Sequence, residues 1–389
     1  MDIAGLKARI AGDIDARFPE LQELSRTIHD NPETAFEEKR AAAALTGFLK
    51  ANDFIVETGI CKLKTAFKAV YGSGRPVIAF LAEYDALPKV GHGCGHNLIG
   101  TASVAAAAAA KLAADEHGGT IVVFGTPGEE LYGGKSIMAE RGAFTDVDFA
   151  MITHPGGGDQ IMMSTLACET LNVEFFGKAA HAAGEPEKGI NALEAMILSF
   201  NAIDALRQHV PEKSRIHGVI TDGGEAANVV PAHTAGTFIA RSEDDMLLED
   251  LKKRVIACFA GASKATGARL KYAWGEHYAA MRSNGVMARL FKENLAAVGS
   301  SIRLGANNLQ TFSTDVGNVS PLVPTIQPLV GIAPPDVQLH SPDFAAVAAT
   351  EEALRTLLDA ARAMAMTAVD ILADPAAAER VREEFRGRA

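Results

Sequence analysis

Residues 77–100, VIAFLAEYDALPKVGHGCGHNLIG, constrain the fold more than any other stretch. An apolar run over 77–81 ends in two acids, Glu83 and Asp85. A turn with Pro88 and Gly91 follows, then His92, Cys94 and His96. An Ala-rich stretch over 97–114 has the length and composition of a buried helix. Strand, tight loop and helix in that order make one step of an α/β fold. Thiol, imidazole and carboxylate groups crowded into such a loop are the side chains that bind metal ions. Read alone, the loop also fits a buried thiol beside a hydrogen-bonded histidine, and His92 fits either a third ligand or a supporting contact.

The rest of the chain is read around that step. Apolar spacing predicts a helix over 2–28 and another over 36–52. Strands are expected at 54–58, 65–71, 77–83, 121–124 and 149–153, with a short helix at 133–141. Several of these strands are unbroken apolar runs, as in a sheet covered on both faces. In such sheets ligand-binding groups collect beyond the carboxyl ends of the strands. Glu83, Asp85, Glu129, Glu130 and His154 all follow strand ends. From residue 168 the pattern changes to strand, helix, strand, strand, helix, strand, closing at 269–274. That order is the split ferredoxin-like unit. We expect an α/β chain in which a catalytic domain, 1–167 and 283–389, is interrupted by an inserted α+β domain, 168–282. A helix at 286–298, a strand at 325–332 and a long helix at 343–372 complete the first domain.

The chain has 389 residues, enough for more than one core. Lys and Arg number 37 against 48 Asp and Glu, a formal charge of −11. That balance disfavours nucleic acid and anionic membrane as partners. No run of eighteen apolar residues marks a membrane span, and the N-terminal segment lacks the apolar core of a secretory signal. Four widely spaced cysteines do not form a disulfide framework, so Cys61, Cys168 and Cys258 are expected as buried free thiols in a cytoplasmic protein.

Adjacent carboxylates at Glu129 and Glu130 fit a helix N-terminus, where acids meet the positive dipole end. They also fit a division of labour in which one binds metal and the other stays free as a base. His154, before Pro155, and His340, before Ser341-Pro342, have the same strand-end setting. Cys94, His96, Glu130, His154 and His340 together exceed the four ligands of one structural zinc and suit two neighbouring ions.

The motifs AEYDALP (82–88), GHGCGHNLIG (91–100), TPGEE (126–130) and ITHP (152–155) carry a further likeness. GKAAHAA (177–183), ANVVP (227–231), STDVGNVSPLVPTIQP (313–328) and LHS (339–341) extend it to the chain's end. With these motifs the chain resembles the metallopeptidase family of aminoacylases, carboxypeptidase G and indoleacetyl-amino-acid hydrolases, above all its aminobenzoyl-glutamate hydrolase-like branch. The resemblance implies a mixed-sheet catalytic domain holding two divalent ions, zinc or manganese, and a lid domain that forms homodimers. It implies Cys94, His96, Glu130, His154 and His340 as metal ligands, Glu129 as general base and Asp85 as the acid that orients a ligand. In the lid it implies His181 as the group polarising the scissile carbonyl, often across the dimer, with Asn228 and Arg241 holding the substrate. Glu83 departs from the pattern, standing where many relatives outside this branch carry a metal-binding histidine.

The expected activity is hydrolysis of the amide of an N-acyl or N-aroyl amino acid, or of a dipeptide, with a free carboxylate. Cleavage of another C–N bond, such as an aryl amide, would use the same residues. A non-catalytic binding protein on this fold is disfavoured because every ligand and the base are present. A dinucleotide oxidoreductase is disfavoured because no G-x-G-x-x-G follows an early strand. Loops 156–164 and 307–320 are expected to form the pocket walls.

Overall fold

The computed structural model describes residues 2–300, 312–334 and 336–387. They divide into two compact units. The larger comprises the chain up to Ser164 and the segments from Met281 onward, apart from the few residues up to Ser313 that join the smaller. The smaller is Thr165–Ala280 with that short piece.

The larger unit opens with α1 (Ile3–Ala16) and α2 (Phe18–His29). The one helix expected there is two, separated at Arg17. Pro19 lies in the first turn of α2, where a missing N–H leaves no bond unmade. Next, α3 (Lys39–Ala51) starts later than expected, because Phe36 is left-handed at φ 64° and cannot join a helix.

There follow β1 (Ile55–Thr58), β2 (Phe67–Ser73), β3 (Val77–Ala82), α4 (His96–His117) and β4 (Gly119–Gly125). Then come α5 (Glu129–Tyr132), α6 (Gly134–Glu140), β5 (Phe149–Met151) and β6 (His154–Gly156). The helix expected over 133–141 is α6, set off from α5 by left-handed Gly133. The strand expected to end at Thr153 stops at Met151, and β6 was not foreseen.

After the smaller unit the chain resumes with α9 (Gly285–Ala297), β11 (Thr325–Ile326) and β12 (Leu329–Gly331). It ends in α10 (Pro342–Ala348), α11 (Glu351–Ala373) and α12 (Pro375–Arg386). The strand expected over 325–332 is broken at Gln327-Pro328, where proline has no N–H for a ladder. The helix expected over 343–372 is also two, because Thr350 Oγ1 accepts the Ala353 N–H at 3.2 Å and starts α11 afresh.

The main sheet has the order β1-β2-β4-β3-β5-β11. Its strands β4, β3, β5 and β11 run parallel, while β1 and β2 add an antiparallel edge. The sheet is therefore mixed, as expected. The parallel strands point their carboxyl ends to one edge, so Glu83, Asp85, Glu129 and Glu130 emerge together. His154 follows through β6, which pairs with β12 in register His154 to Leu329. Buried Ala105–Ala110 let α4 lie close to its neighbours, among them α11 and β3.

The smaller unit holds β7 (Ala167–Phe176), α7 (Ala192–Arg207), β8 (Arg215–Asp222), β9 (His233–Ser242), α8 (Asp245–Thr266) and β10 (Arg269–Tyr278). Its antiparallel sheet has the order β10-β7-β9-β8. Leu171, Val173 and Phe175 of β7 pack with Met196 of α7 and Phe259 of α8 in its own core. The β-α-β-β-α-β sequence is the ferredoxin-like order expected from the sequence.

One buried acid gives the larger unit a pH dependence. Glu38 accepts hydrogen bonds from the Phe36 N–H at 2.9 Å and the Thr65 hydroxyl at 2.8 Å. Burial, and then the charge of Asp85, push its carboxyl up to about 7. A folded value above the unfolded one penalises the charged form. The protection is complete below pH ~4.5 and is lost as pH rises through about 7, a difference of roughly 3 kcal/mol. Glu38→Gln should therefore gain thermal stability over the parent at pH 8 and lose that gain at pH 4. Parallel melting curves for the two proteins across that range would contradict the assignment.

Candidate metal centre and active site

Each site residue of the larger unit is placed by a local break in regular structure. Gly95, at φ 76°, lies between Cys94 and His96 and starts α4. A side chain there would meet the Pro155 ring at 2.6 Å. The turn thus swings Cys94 and His96 against the segment that carries His154. His340 is itself left-handed, at φ 64°, and its N–H donates to the Gly93 carbonyl at 2.9 Å. That bond brings the end of the chain onto the Cys94 loop.

The donor atoms converge. Cys94 Sγ lies 3.5 Å from His154 Nε2. His96 Nε2 lies 3.8 Å from Glu130 Oε1, and His340 Nε2 lies 3.5 Å from Glu130 Oε2. Three overlapping sets each have their donor atoms within 4.8 Å of one another: Cys94, His96 and His154; Cys94, Glu130 and His340; His96, Glu129 and Glu130. Cys94, His96 and His154 are buried, whereas the His340 side chain is 55% exposed and marks an open side.

These spacings fit shared cations better than hydrogen bonds. Ligands at ~2.0–2.3 Å from one tetrahedral ion stand about 3.3–3.8 Å apart. His96 Nε2 and Glu130 Oε1 are buried with no hydrogen-bond partner. Such orphaned acceptors cost about 1–3 kcal/mol each unless something satisfies them. The histidines are also set in the right tautomer. His96 donates from Nδ1 to Asp85 Oδ1 at 3.0 Å, and His154 donates from Nδ1 to the Pro155 carbonyl at 2.6 Å. Both Nε2 lone pairs are thereby left facing the cluster. The other oxygen of Asp85 accepts the Glu130 N–H at 3.0 Å, so one carboxylate orients two of these residues.

The electrostatics follow from crowding. Burial, then Glu130, lift the Glu129 carboxyl well above the ordinary carboxylate range. Burial, then Glu130, also raise the Cys94 thiol. Burial lowers His154 to about 4, so its imidazole is neutral. A buried set rich in carboxylates and neutral imidazole is a cation-binding set.

His92 is not part of it. Its Nε2 donates to the Ile28 carbonyl at 3.1 Å, and burial lowers it to about 3. Among the described residues all four cysteines are free, but Cys61 and Cys258 are half-buried, contrary to the expectation of full burial.

Two residues were missed by sequence reasoning. Lys135 Nζ lies 2.7 Å from Glu83 Oε1 and 2.7 Å from Asp315 Oδ1, and all three side chains are fully buried. The Lys135 N–H donates to the other Asp315 oxygen at 2.8 Å. Burial opposes the Glu83 charge, but Lys135, His96 and His154 together outweigh it and hold this carboxyl below its ordinary range. Glu83 Oε2 faces His96 Nε2 at 3.6 Å. The triad therefore backs the cluster with the Glu83 carboxylate, kept charged beside Lys135. The only sequence hints were a lysine after Gly133-Gly134 and an acid in the STDVGN motif.

The three candidates from the inserted domain lie in the smaller unit. His181 is exposed, and its Nδ1 accepts the N–H groups of Ala183 at 3.2 Å and Gly184 at 3.0 Å. These bonds set the tautomer with the ring N–H on Nε2. The Ala182 N–H donates to the Asn228 carbonyl at 3.0 Å, so the His181 and Asn228 loops are joined. Arg241 lies on β9, where its guanidinium donates to Ser313 Oγ at 2.8 Å and to His217 Nε2 at 3.3 Å. Of the two wall loops, 156–164 is described, whereas 307–311 lies outside the described residues.

Residues 169–266 match the peptidase dimerisation domain. The chain is 35% identical to the Xaa-Arg dipeptidase of Mus musculus over 98% of its own length and 92% of the relative's. It is 37% identical to one of the two p-aminobenzoyl-glutamate hydrolase polypeptides of Escherichia coli K12, over 65% of this chain and 57% of that protein. Its fold matches the Bacillus subtilis YXEP protein, described as a dinuclear metal-binding peptidase of the M20 family. That match has TM-score 0.70 and 19% identity, covering 92% of this chain and 99% of the other.

Proposed function

Because the chain belongs to the M20 family of metallopeptidases, we propose that it cleaves the amide of an N-acyl or N-aroyl amino acid, or of a dipeptide, bearing a free carboxylate. The observation that carries this reading is the convergence of Cys94, His96, Glu130, His154 and His340 beside Glu129. Cys94, His96, Glu130, His154 and His340 would hold two divalent ions. When bound, these would make a water more acidic and polarise the scissile carbonyl. Thiolate favours zinc, and manganese is the other metal to be tried.

Glu129 is the proton carrier. It precedes Glu130 on α5, and its carboxylate stands within 4.8 Å of donor atoms of His96 and Glu130. In this reading it takes a proton from the attacking water and returns it to the leaving amine. Asp85 keeps the His96 ring and the Glu130 backbone in place. In the smaller unit, the Nε2–H of His181 would supply a donor for the carbonyl oxygen. Asn228 and the forked charge of Arg241 would receive the free carboxylate. The dimerisation-domain match supports a homodimer in which His181 serves its own or the neighbouring site.

The test is a panel of N-acetyl, N-benzoyl and N-aminobenzoyl amino acids and dipeptides, assayed with zinc, manganese and cobalt. Metal-dependent release of a free amino acid from at least one class is expected. Tight metal binding with no hydrolysis across the panel would contradict it.

A further inference from the structure

Beside the two glutamates lies an apolar surface that no step above uses. Leu131 is 45% exposed and Tyr132 49% exposed, directly after Glu130. The ring of Tyr132 stacks on Phe36 with centroids 5.4 Å apart and planes at 14°. Isolated apolar side chains at a surface need no explanation, but exposed aromatic and aliphatic groups beside reactive carboxylates do.

Three contacts tie this shelf to the site. Tyr132 is three residues past Glu129 on α5, so the two side chains share one face of that turn. The Phe36 ring packs so closely on Gly128 that a side chain there would meet it at 2.9 Å. The Ala86 N–H, next to Asp85, donates to the Glu33 carbonyl at 2.8 Å and holds the Phe36 segment in place. Phe36 keeps its left-handed backbone, φ 64°, with its N–H on buried Glu38 at 2.9 Å. Each contact lies within the larger unit.

We propose that Phe36, Tyr132 and Leu131 form the specificity surface for the acyl side of the scissile amide, and that this surface selects a flat, aromatic or large apolar acyl group. The inference rests on the hydrolytic reading above. The amino-acid half of such a substrate carries a carboxylate and calls for a cation. The shelf is uncharged, so it suits the other half. A stacked pair of rings with one edge open accepts a third ring at the usual offset or edge-to-face distance. Nearness to Glu129 sets the occupant as substrate rather than a second protein copy.

The experiment compares kcat/KM for the N-benzoyl and N-acetyl derivatives of the amino acid that the parent enzyme releases fastest. Tyr132→Ala should lower the benzoyl-to-acetyl ratio about tenfold, as expected for one lost aromatic contact. Tyr132→Phe should keep the ratio within about twofold, since stacking needs no hydroxyl. An equal loss on both substrates, or an unchanged ratio, overturns the shelf and makes these residues a loop support or a cover for another protein surface. Calorimetric binding of the same two amides to the metal-loaded protein separates the two readings. Tighter benzoyl binding that Tyr132→Ala removes, without turnover in the parent, keeps the shelf and sinks hydrolysis. Turnover with no benzoyl preference does the reverse.

Discussion

Glu129→Gln should retain bound metal and lose turnover by roughly 10²–10⁴-fold, the range of a deleted general acid–base. The amide keeps the size of the carboxyl and loses its ability to take up and release a proton. Glu130 faces both His96 and His340, at 3.8 Å and 3.5 Å, and its own N–H is held by Asp85. In the proposed mechanism Glu130 binds metal and Glu129 carries the proton, although both carboxylates stand within 4.8 Å of His96 donor atoms. Metal content by mass spectrometry and kcat on the best panel substrate separate the roles. Unchanged turnover would sink Glu129 as base, and loss of metal from Glu129→Gln would make it a ligand instead.

Lys135→Met should have the largest effect on folding. It leaves Glu83 and Asp315 facing one another without their shared cation, both fully buried. Removing one partner of a buried charge set costs about 3–5 kcal/mol. For a unit of this size that corresponds to a thermal midpoint lower by roughly 10 °C. Adding Asp315→Asn to the variant should recover part of the loss, because one uncompensated charge is removed. A midpoint within about 2 °C of the parent would show that the triad contributes little stability.

The centre was legible in the sequence because its residues follow strands that point one way. Cys94, His96, Glu129, Glu130 and His154 each end a predicted strand or sit in the loop after one, and parallel pairing delivers them to one edge. What sequence reasoning missed depends on pairing over long separations. Lys135 and Asp315 meet across 180 positions, and nothing in either neighbourhood signals the partner. His92 has the same ligand chemistry as its neighbours, yet its ring turns to the Ile28 carbonyl, 64 positions away. Helix breaks at Arg17 and Thr350 were also hidden, since apolar spacing runs on across a cap. Phe36 could not be seen as left-handed, because a buried Glu38 and the Gly128 contact stabilise that backbone only in the folded chain.

The most direct measurement is the number of divalent ions bound per chain. Protein stripped with a chelator and dialysed against zinc or manganese should bind two ions per chain if Cys94, His96, Glu130, His154 and His340 hold them as proposed. Activity on the panel should return with them. A folded, stripped protein that takes up no ion, or hydrolyses its substrate equally well without any, would contradict the metal centre.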